Sequence, residues 1–255
     1  MYHGRAHHAF EGSLRTAMLN RVRNKFRTLG WVDALWFIIA SLLRLASFGS
    51  VRLIKYYFVA QPVRLRAPGT AQAHGKTRLS VVQGVNDIIR QAPRPEATLL
   101  QRFEQRARCV LAERDGQLAG FIWLCPNRYS EDEVRGVYCW TPVQIAVWDF
   151  DVFVAPPFRM GRLFSQLWAY SHALLQPEGV RWTLSRIDAF NAGSLAAHRR
   201  LGAVVLARGC FLRFGRFQIA LTSMAPHWHL SVRDSDEPQF CFDLSKLVPA
   251  AASQG

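Results

Sequence analysis

The chain has 255 residues, 50% of them hydrophobic and 20% charged, which excludes a disordered or low-complexity chain and allows one large domain or one domain with an appendage. The formal net charge is +14. It is unevenly spread: residues 1–66 carry eleven Lys/Arg against Glu11 and Asp33, and residues 67–255 carry twenty-one against sixteen acids. Between the N-terminal cations stand Trp31, Leu35, Trp36, Phe37, Ile38, Ile39, Leu42, Leu43, Leu45 and Phe48. That is more apolar surface than a phosphate-tracking arm needs, so an anionic membrane surface is the expected partner of residues 15–58, and no nucleic acid.

Cys109, Cys125, Cys139, Cys210 and Cys241 are scattered, without a C-x-x-C pair. They suggest neither a disulfide framework nor a zinc site, and reduced thiols in a cytosolic setting are expected. The apolar stretch begins only near Trp31, and no small-residue cleavage site follows it, so no cleavable signal peptide is read.

In chain order, residues 1–28 are basic and polar, with His3, His7 and His8 expected on an exposed tail. Residues 31–58 read as helix. Asp33, Arg44 and Lys55 are eleven apart and project onto one line, giving a narrow polar stripe beside a wide apolar face. The uninterrupted run Ala34–Leu43 is too short to span a bilayer, and the pattern fits a helix in the membrane interface. Packing onto the domain, or spanning, are the alternatives, and Gly49-Ser50 is a candidate break.

Residues 67–78 read as a loop or linker. Leu99–Arg106 looks helical, and Cys109–Glu113 and Leu118–Leu124 flank Arg114-Asp115-Gly116-Gln117 as a hairpin. A polar and aromatic connection over 126–142 follows, then a strand over Val143–Val154, a helix over Leu163–Leu175 and a strand over Trp182–Ile187. A helix over Asn191–Leu201 is stopped by Gly202, and two strands, Val204–Ala207 and Cys210–Phe217, precede an irregular tail from Ser223 to the small-residue run Ala250–Gln254.

Two segments carry the chemistry. The first is VFVAPPFRMGRLFSQL, from Val152 to Leu167; the second is NAGSLAAHRRLG, from Asn191 to Gly202. In the first, a strand ends at Pro156-Pro157 and a helix starts whose first N–H groups lack intrahelical partners, a setting that suits a pyrophosphate, with Arg159 and Arg162 adding charge-assisted bonds. In the second, Asn191 is a good helix cap. Asp149 and Asp151 alternate with Trp148, Phe150 and Val152, and at period two both are expected on one side of the strand, as a general base or a cationic-substrate site. Trp123, Tyr129, Tyr138, Trp140 and Trp148 are either core aromatics or an acceptor pocket, Glu131-Asp132-Glu133 reads as a solvated loop, and His227 and His229 read as structural.

Taken with the preceding hairpin, these two segments resemble the GNAT acyltransferase family over residues 57–222. The resemblance implies a mixed central sheet with flanking helices, an α/β fold, preceded by an N-terminal amphipathic helical segment over 1–56 and followed by an irregular extension over 223–255. It implies an acetyltransferase, or more broadly an acyltransferase, of bacterial type. Such an enzyme moves an acyl group from acetyl-CoA or another acyl-CoA, without metal, to an amine on a small molecule or lipid-linked acceptor. The expected location is cytoplasmic, peripheral to the inner membrane. It implies donor contacts from Phe153, Val154, Arg159, Met160, Gly161, Arg162, Leu163, Phe164, Asn191 and Ser194, with the backbone around Phe153–Val154 holding the thioester carbonyl. His198 stands where the family has a general-acid Tyr, and Met160-Gly161-Arg162-Leu163-Phe164 stands where it has spaced glycines. Long-chain acyl transfer from acyl carrier protein, or a non-catalytic acyl-CoA-binding module, are the alternatives.

Overall fold

The computed structural model describes residues 26–64 and 77–247. The expected histidine tail (His3, His7, His8), the basic residues before Phe26, most of the 67–78 linker and the run Ala250–Gln254 lie outside the described residues.

Helix α1 (Trp31–Ala46) ends in a turn in which Gly49 takes φ 84°, and the chain then runs straight into strand β1 (Val51–Pro62). Residues 51–58 are therefore not helical, contrary to the sequence reading. β-Branched and aromatic residues fill the strand, and it is sandwiched centrally between two neighbours, where a pleated, buried surface suits them. Asp33 and Lys55 do meet, at 2.7 Å, but across a helix–strand packing rather than along one helical stripe. Tyr57 donates a second bond to Asp33, also at 2.7 Å. This buried ion pair pins α1 to the sheet.

Strand β2 (Thr77–Val82), helix α2 (Glu96–Glu104) and the hairpin β3 (Arg108–Arg114) and β4 (Gln117–Pro126) follow. The hairpin turn has Asp115 and Gly116 both at positive φ, 52° and 76°, as a two-residue turn matched to strand twist requires. The expected connection over 126–142 instead contains β5 (Arg128–Ser130) and β6 (Val137–Thr141). Then come β7 (Ala146–Val154), α3 (Leu163–Leu175), β8 (Trp182–Asp188), α4 (Ala192–Arg200), β9 (Val204–Phe214) and β10 (Phe217–Thr222). The tail expected to be irregular adds β11 (Trp228–Ser231) and β12 (Gln239–Asp243).

Nine strands form one mixed sheet in the order β11-β10-β9-β1-β8-β7-β4-β3-β2, and β12-β6-β5 form a second. The domain boundary expected at residue 57 thus falls inside a central strand, and that expected at 223 cuts off an edge strand and a partner of β6. One face of the large sheet carries α3, packed through Leu163, Leu167 and Trp168 on Val110, Ile122 and Val147. The other face packs Tyr56, Phe58, Trp123 and Trp148 against α2 and the small sheet. The fold is α/β, a large mixed sheet with flanking helices, consistent with the GNAT fold.

Cys139 and Cys241, directly paired across the parallel β6–β12 ladder, form a disulfide. The expectation of reduced thiols fails for this pair because the two strands come together only in three dimensions, 102 residues apart. Cys109, Cys125 and Cys210 are free.

Candidate active site

The site begins where strand pairing stops. β7 and β8 run parallel but pair only through Ala146–Trp182, Val147–Thr183 and Trp148–Leu184. Beyond these, β7 stays with β4 as far as Val154, and β8 stays with β1 as far as Asp188. The two strands part and leave a wedge between residues 149–154 and 185–188. A bulge in β7 accompanies the parting: the register against β4 slips between Phe121 and Trp123, and Asp151 takes φ 45°. Such a bulge re-aims side chains.

The bulge overturns the expectation that Asp149 and Asp151 share a side. Asp149 lies with Val147 and Thr183 on the face covered by α3 and α4, while Asp151 turns to the α2 face, where Arg94 and Arg102 hold it. One carboxylate therefore stands on each side of the sheet, next to the wedge.

Asp149 is fully buried, and burial pushes its pKa up to about 7, with Thr183 and Ser185 opposing the rise. Both hydroxyls face the carboxyl and favour its charged form, while Asp149 Oδ2 and Gln61 Nε2 are buried without a hydrogen-bond partner. Gln61 is opposite Thr183, and Val59 opposite Ser185, in the β1–β8 ladder. Four buried polar groups thus converge on one face beside the wedge. Unsatisfied buried polar groups are costly, and natural folds retain few of them without reason. Sequence reasoning missed Gln61, Thr183 and Ser185. The available signal was the polar alternation of Thr183 and Ser185 inside an apolar strand.

His198 is buried in α4, with Nδ1 3.0 Å from Gln61 Oε1 and its ring edge-on to Trp168. Burial lowers its pKa to about 4. It is a neutral imidazole near pH 7, which makes it a poor proton donor to a leaving thiolate. Its geometry is that of a group orienting Gln61, not of the general acid that the resemblance implied.

On the donor side, Ala155 N–H bonds to Ala119 O of β4 at 2.8 Å. Strand N–H groups alternate in direction, so those of Val154 and Val152 point away from β4, toward the wedge. The carbonyl of Val154 accepts Arg159 Nε at 3.1 Å. The Phe153 side chain turns to the opposite face and stacks on Phe121. Gly120 makes the close β4–β7 approach possible: a Cβ there would stand 2.7 Å from Phe153 O and 3.2 Å from Leu167 Cδ1.

After a 3-10 turn at Pro156–Phe158, α3 starts at Leu163 with Arg162 as its cap residue and no side-chain cap bond. Arg159, Met160, Gly161 and Arg162 are exposed at this helix start. Leu163 is packed in the core, and Phe164 packs beside it and edge-on to Trp168. A side chain at Gly161 would meet only Phe158 O, at 3.4 Å, so the turn does not demand glycine. Asn191 caps α4 as expected, accepting Ser194 N–H at 3.0 Å.

On the α2 face lies a cavity of about 660 Å³. Phe150 and Tyr129 line it beside Arg94, Arg102, Asp132, Glu133, Asp151 and Arg186. Trp123, Tyr138, Trp140 and Trp148 are fully buried core, so of the five aromatics expected there only Tyr129 reaches the cavity. The acidic run is not a solvated loop. Buried Glu131 takes a two-pronged bond from Arg186 at 2.8 and 2.7 Å, and Glu133 accepts Tyr56 Oη at 2.6 Å and Arg52 at 3.0 Å. Asp132 pairs with Arg102 at 3.2 Å. These arginines come from distant elements, which no local sequence pattern announces. Among the described residues no group of three or more His, Cys, Asp or Glu is placed to hold a metal ion, and no helix is long and apolar enough to cross a membrane.

No protein-family model matches the chain, and no curated protein matches it. Solved structures do. The neighbours are mostly GNAT acetyltransferases. A GCN5-related N-acetyltransferase from Kribbella flavida is 14% identical with a TM-score of 0.39, over 68% of this chain and 63% of that one. A tandem GNAT protein from the clavulanic acid biosynthesis pathway is 15% identical with a TM-score of 0.47, over 67% and 57%. AAC(6')-Iy in complex with the bisubstrate analogue CoA-S-monomethyl-acetylneamine is 22% identical with a TM-score of 0.37, over 50% and 90%. At those identities and TM-scores the likeness is one of fold, and what the site does rests on its own residues.

Proposed function

We propose that this chain is an N-acyltransferase that moves an acyl group, acetyl foremost, from coenzyme A to an amine. The observation that carries the reading is the wedge between β7 and β8, with Asp149 at a pKa of about 7 beside Gln61, Thr183 and Ser185 on one face, and an ionic cavity on the other.

In this reading the uncapped start of α3 and exposed Arg162 hold the donor's pyrophosphate, since free N–H groups and the helix dipole favour anions there. The Val154 and Val152 N–H groups hold the thioester oxygen and stabilise the negative charge that develops on it. Asp149 borders the wedge from the α3 face, so it takes one proton from the acceptor ammonium only when the amine reaches from the cavity into the wedge, and a carboxyl with a pKa near 7 suits that task. The amine nitrogen then bonds to the thioester carbon, the carbon–sulfur bond breaks, and the second proton from nitrogen passes to the departing thiolate. His198 positions Gln61. Asp151 is held by two arginines at the acceptor cavity and serves there as a binding residue.

A second part of this proposal is that the protein meets an anionic membrane surface through the outer side of α1 and the turn after it, where Trp31, Leu42, Leu45 and Phe48 are exposed. Deleting residues 1–56 would remove half of β1, so the test is substitution of these four by Gln and flotation with phosphatidylglycerol vesicles. Unchanged flotation counts against this location.

Acyl transfer is tested by calorimetry with acetyl-CoA, longer acyl-CoAs and free CoA, together with thiol release over a panel of amines. Asp149→Asn is expected to keep CoA binding and lose about a hundredfold or more in turnover. Binding without thiol release from any amine would favour a non-catalytic acyl-CoA-binding module, a reading to which the arginine-clamped Asp151 lends support.

A further inference from the structure

The large sheet is covered unevenly on the face that carries α1. The helix lies over β1, held there by the Asp33–Lys55 pair, and β9, β10 and β11 continue past it to the edge of the sheet. On β10, exposed Phe217, Ile219 and Leu221 alternate with Gln218, Ala220 and Thr222, which turn inward. In the ladders Phe214 of β9 stands opposite Phe217, Leu230 of β11 opposite Ile219 and Trp228 of β11 opposite Leu221. Six apolar side chains therefore form one continuous patch on one side of the sheet. Trp228 is 69% exposed, Phe214 56% and Leu221 54%. Leu212 and Cys210 continue the same face toward β1. Arg208 and Arg216 stand at its two ends, and no charged side chain interrupts the six. Side chains of this size at these exposures leave roughly 600 Å² bare, since a large aromatic alone presents about 150–250 Å². That is the upper end of what a monomer leaves as its largest apolar patch, and it approaches the ~800 Å² per partner of a standard interface.

We propose that this face is covered by a second copy of the chain, the two β9–β10–β11 faces stacking about a two-fold axis as the layers of a sandwich. The pairing goes beyond the acyl-transfer reading and does not rest on it. A two-fold contact asks that a patch match itself, and an apolar face without charge does so. The relief fits as well. Helix α1 raises a step one layer high beside the patch, and stacked sheets lie about 10 Å apart, close to the thickness of a helix. The partner's sheet fills that step, and each α1 then borders the partner's β11, the edge strand of the large sheet, an edge that natural sheets keep protected. A flat bilayer that meets the outer side of α1 does not reach a face one layer lower, so the membrane contact proposed above leaves this patch bare.

The test is sedimentation velocity on the full chain over a concentration series, with flotation on phosphatidylglycerol vesicles beside it. Wild type is expected to sediment as a dimer at about 10 µM, as an interface of this size allows. Trp228→Lys and Leu221→Lys each put a charge inside the patch and are expected to weaken the dimer about tenfold or more. Leu42→Lys, on the outer side of α1, is expected to leave it intact. If a lysine variant melts early, the double variant Ile219→Thr, Leu221→Thr carries the test, since threonine suits a strand. A chain that stays monomeric up to about 100 µM overturns the proposal. So does a dimer that the patch variants leave intact, or one that Leu42→Lys disrupts and they do not. Flotation of a monomeric wild type that Trp228→Lys abolishes assigns the face to lipid and overturns it too. A dimer in a protein that releases no thiol from acetyl-CoA would support the pairing and count only against the acyl-transfer reading.

Discussion

Asp149 and Asp151 stand two residues apart on one strand and face opposite sides of the sheet. The cause is the bulge at Asp151, whose φ of 45° spends one extra residue against β4 and inverts the alternation. Their surroundings diverge accordingly: Asp149 is buried among neutral groups, and Asp151 is held by Arg94 and Arg102.

Asp149 makes stability depend on pH. Its pKa is about 7 in the folded chain against 3.8 otherwise, so the folded state binds more protons between those values. The favourable contribution is whole below 3.8, is lost as pH rises to about 7, and is then constant. The loss is on the order of 4 kcal/mol from the size of the shift. Asp149→Asn should therefore melt higher than wild type at pH 8, with the advantage shrinking toward pH 5. An advantage independent of pH would refute the raised pKa.

His198 works in the opposite sense. With a folded pKa of about 4 against 6.5, its contribution is whole above pH 6.5 and is lost as pH falls toward 4, on the order of 3 kcal/mol. Between pH 4 and 6.5 the two groups oppose each other, so wild type alone conceals both. Urea titrations of His198→Gln should show less acid destabilisation than wild type. The variant should also keep the pH–rate profile of the parent between pH 6 and 8, since a neutral imidazole does not titrate there.

The Asp33–Lys55 pair is about nine-tenths buried. Removing one partner strands the other, so Asp33→Ala should cost about 3–5 kcal/mol in denaturant unfolding. Replacing both by apolar residues should cost less. Proteolysis within α1 should accelerate in the single variant, because the helix loses its anchor on β1.

Gly120→Ala places a Cβ against Phe153 O and Leu167 Cδ1. About 1–3 kcal/mol of destabilisation is expected from overpacking. Turnover should fall more than stability explains, since β7 carries the backbone that borders the wedge.

The Cys139–Cys241 bond is checked by thiol titration in denaturant. Three reactive thiols are expected before reduction and five after it. Reduction should lower stability by about 2–5 kcal/mol, given the long loop that the bond closes.

The sequence by itself determined the order of most elements from Cys109 to Leu201: the Asp115-Gly116 turn, the α3 period and the Asn191 cap are all set by neighbours within a few residues. Tertiary structure decided the rest. Whether residues 51–58 are helix or strand turned on burial between β8 and β9, not on their hydrophobicity. The disulfide, the arginine clamps on Glu131 and Asp151, and the cluster of Gln61 with Thr183 and Ser185 join residues dozens of positions apart. The strand carrying Asp149 and Asp151 shows the limit most plainly. Both carboxylates are legible in the sequence, but a period-two pattern cannot register one inserted residue whose backbone conformation is set by the partner strand.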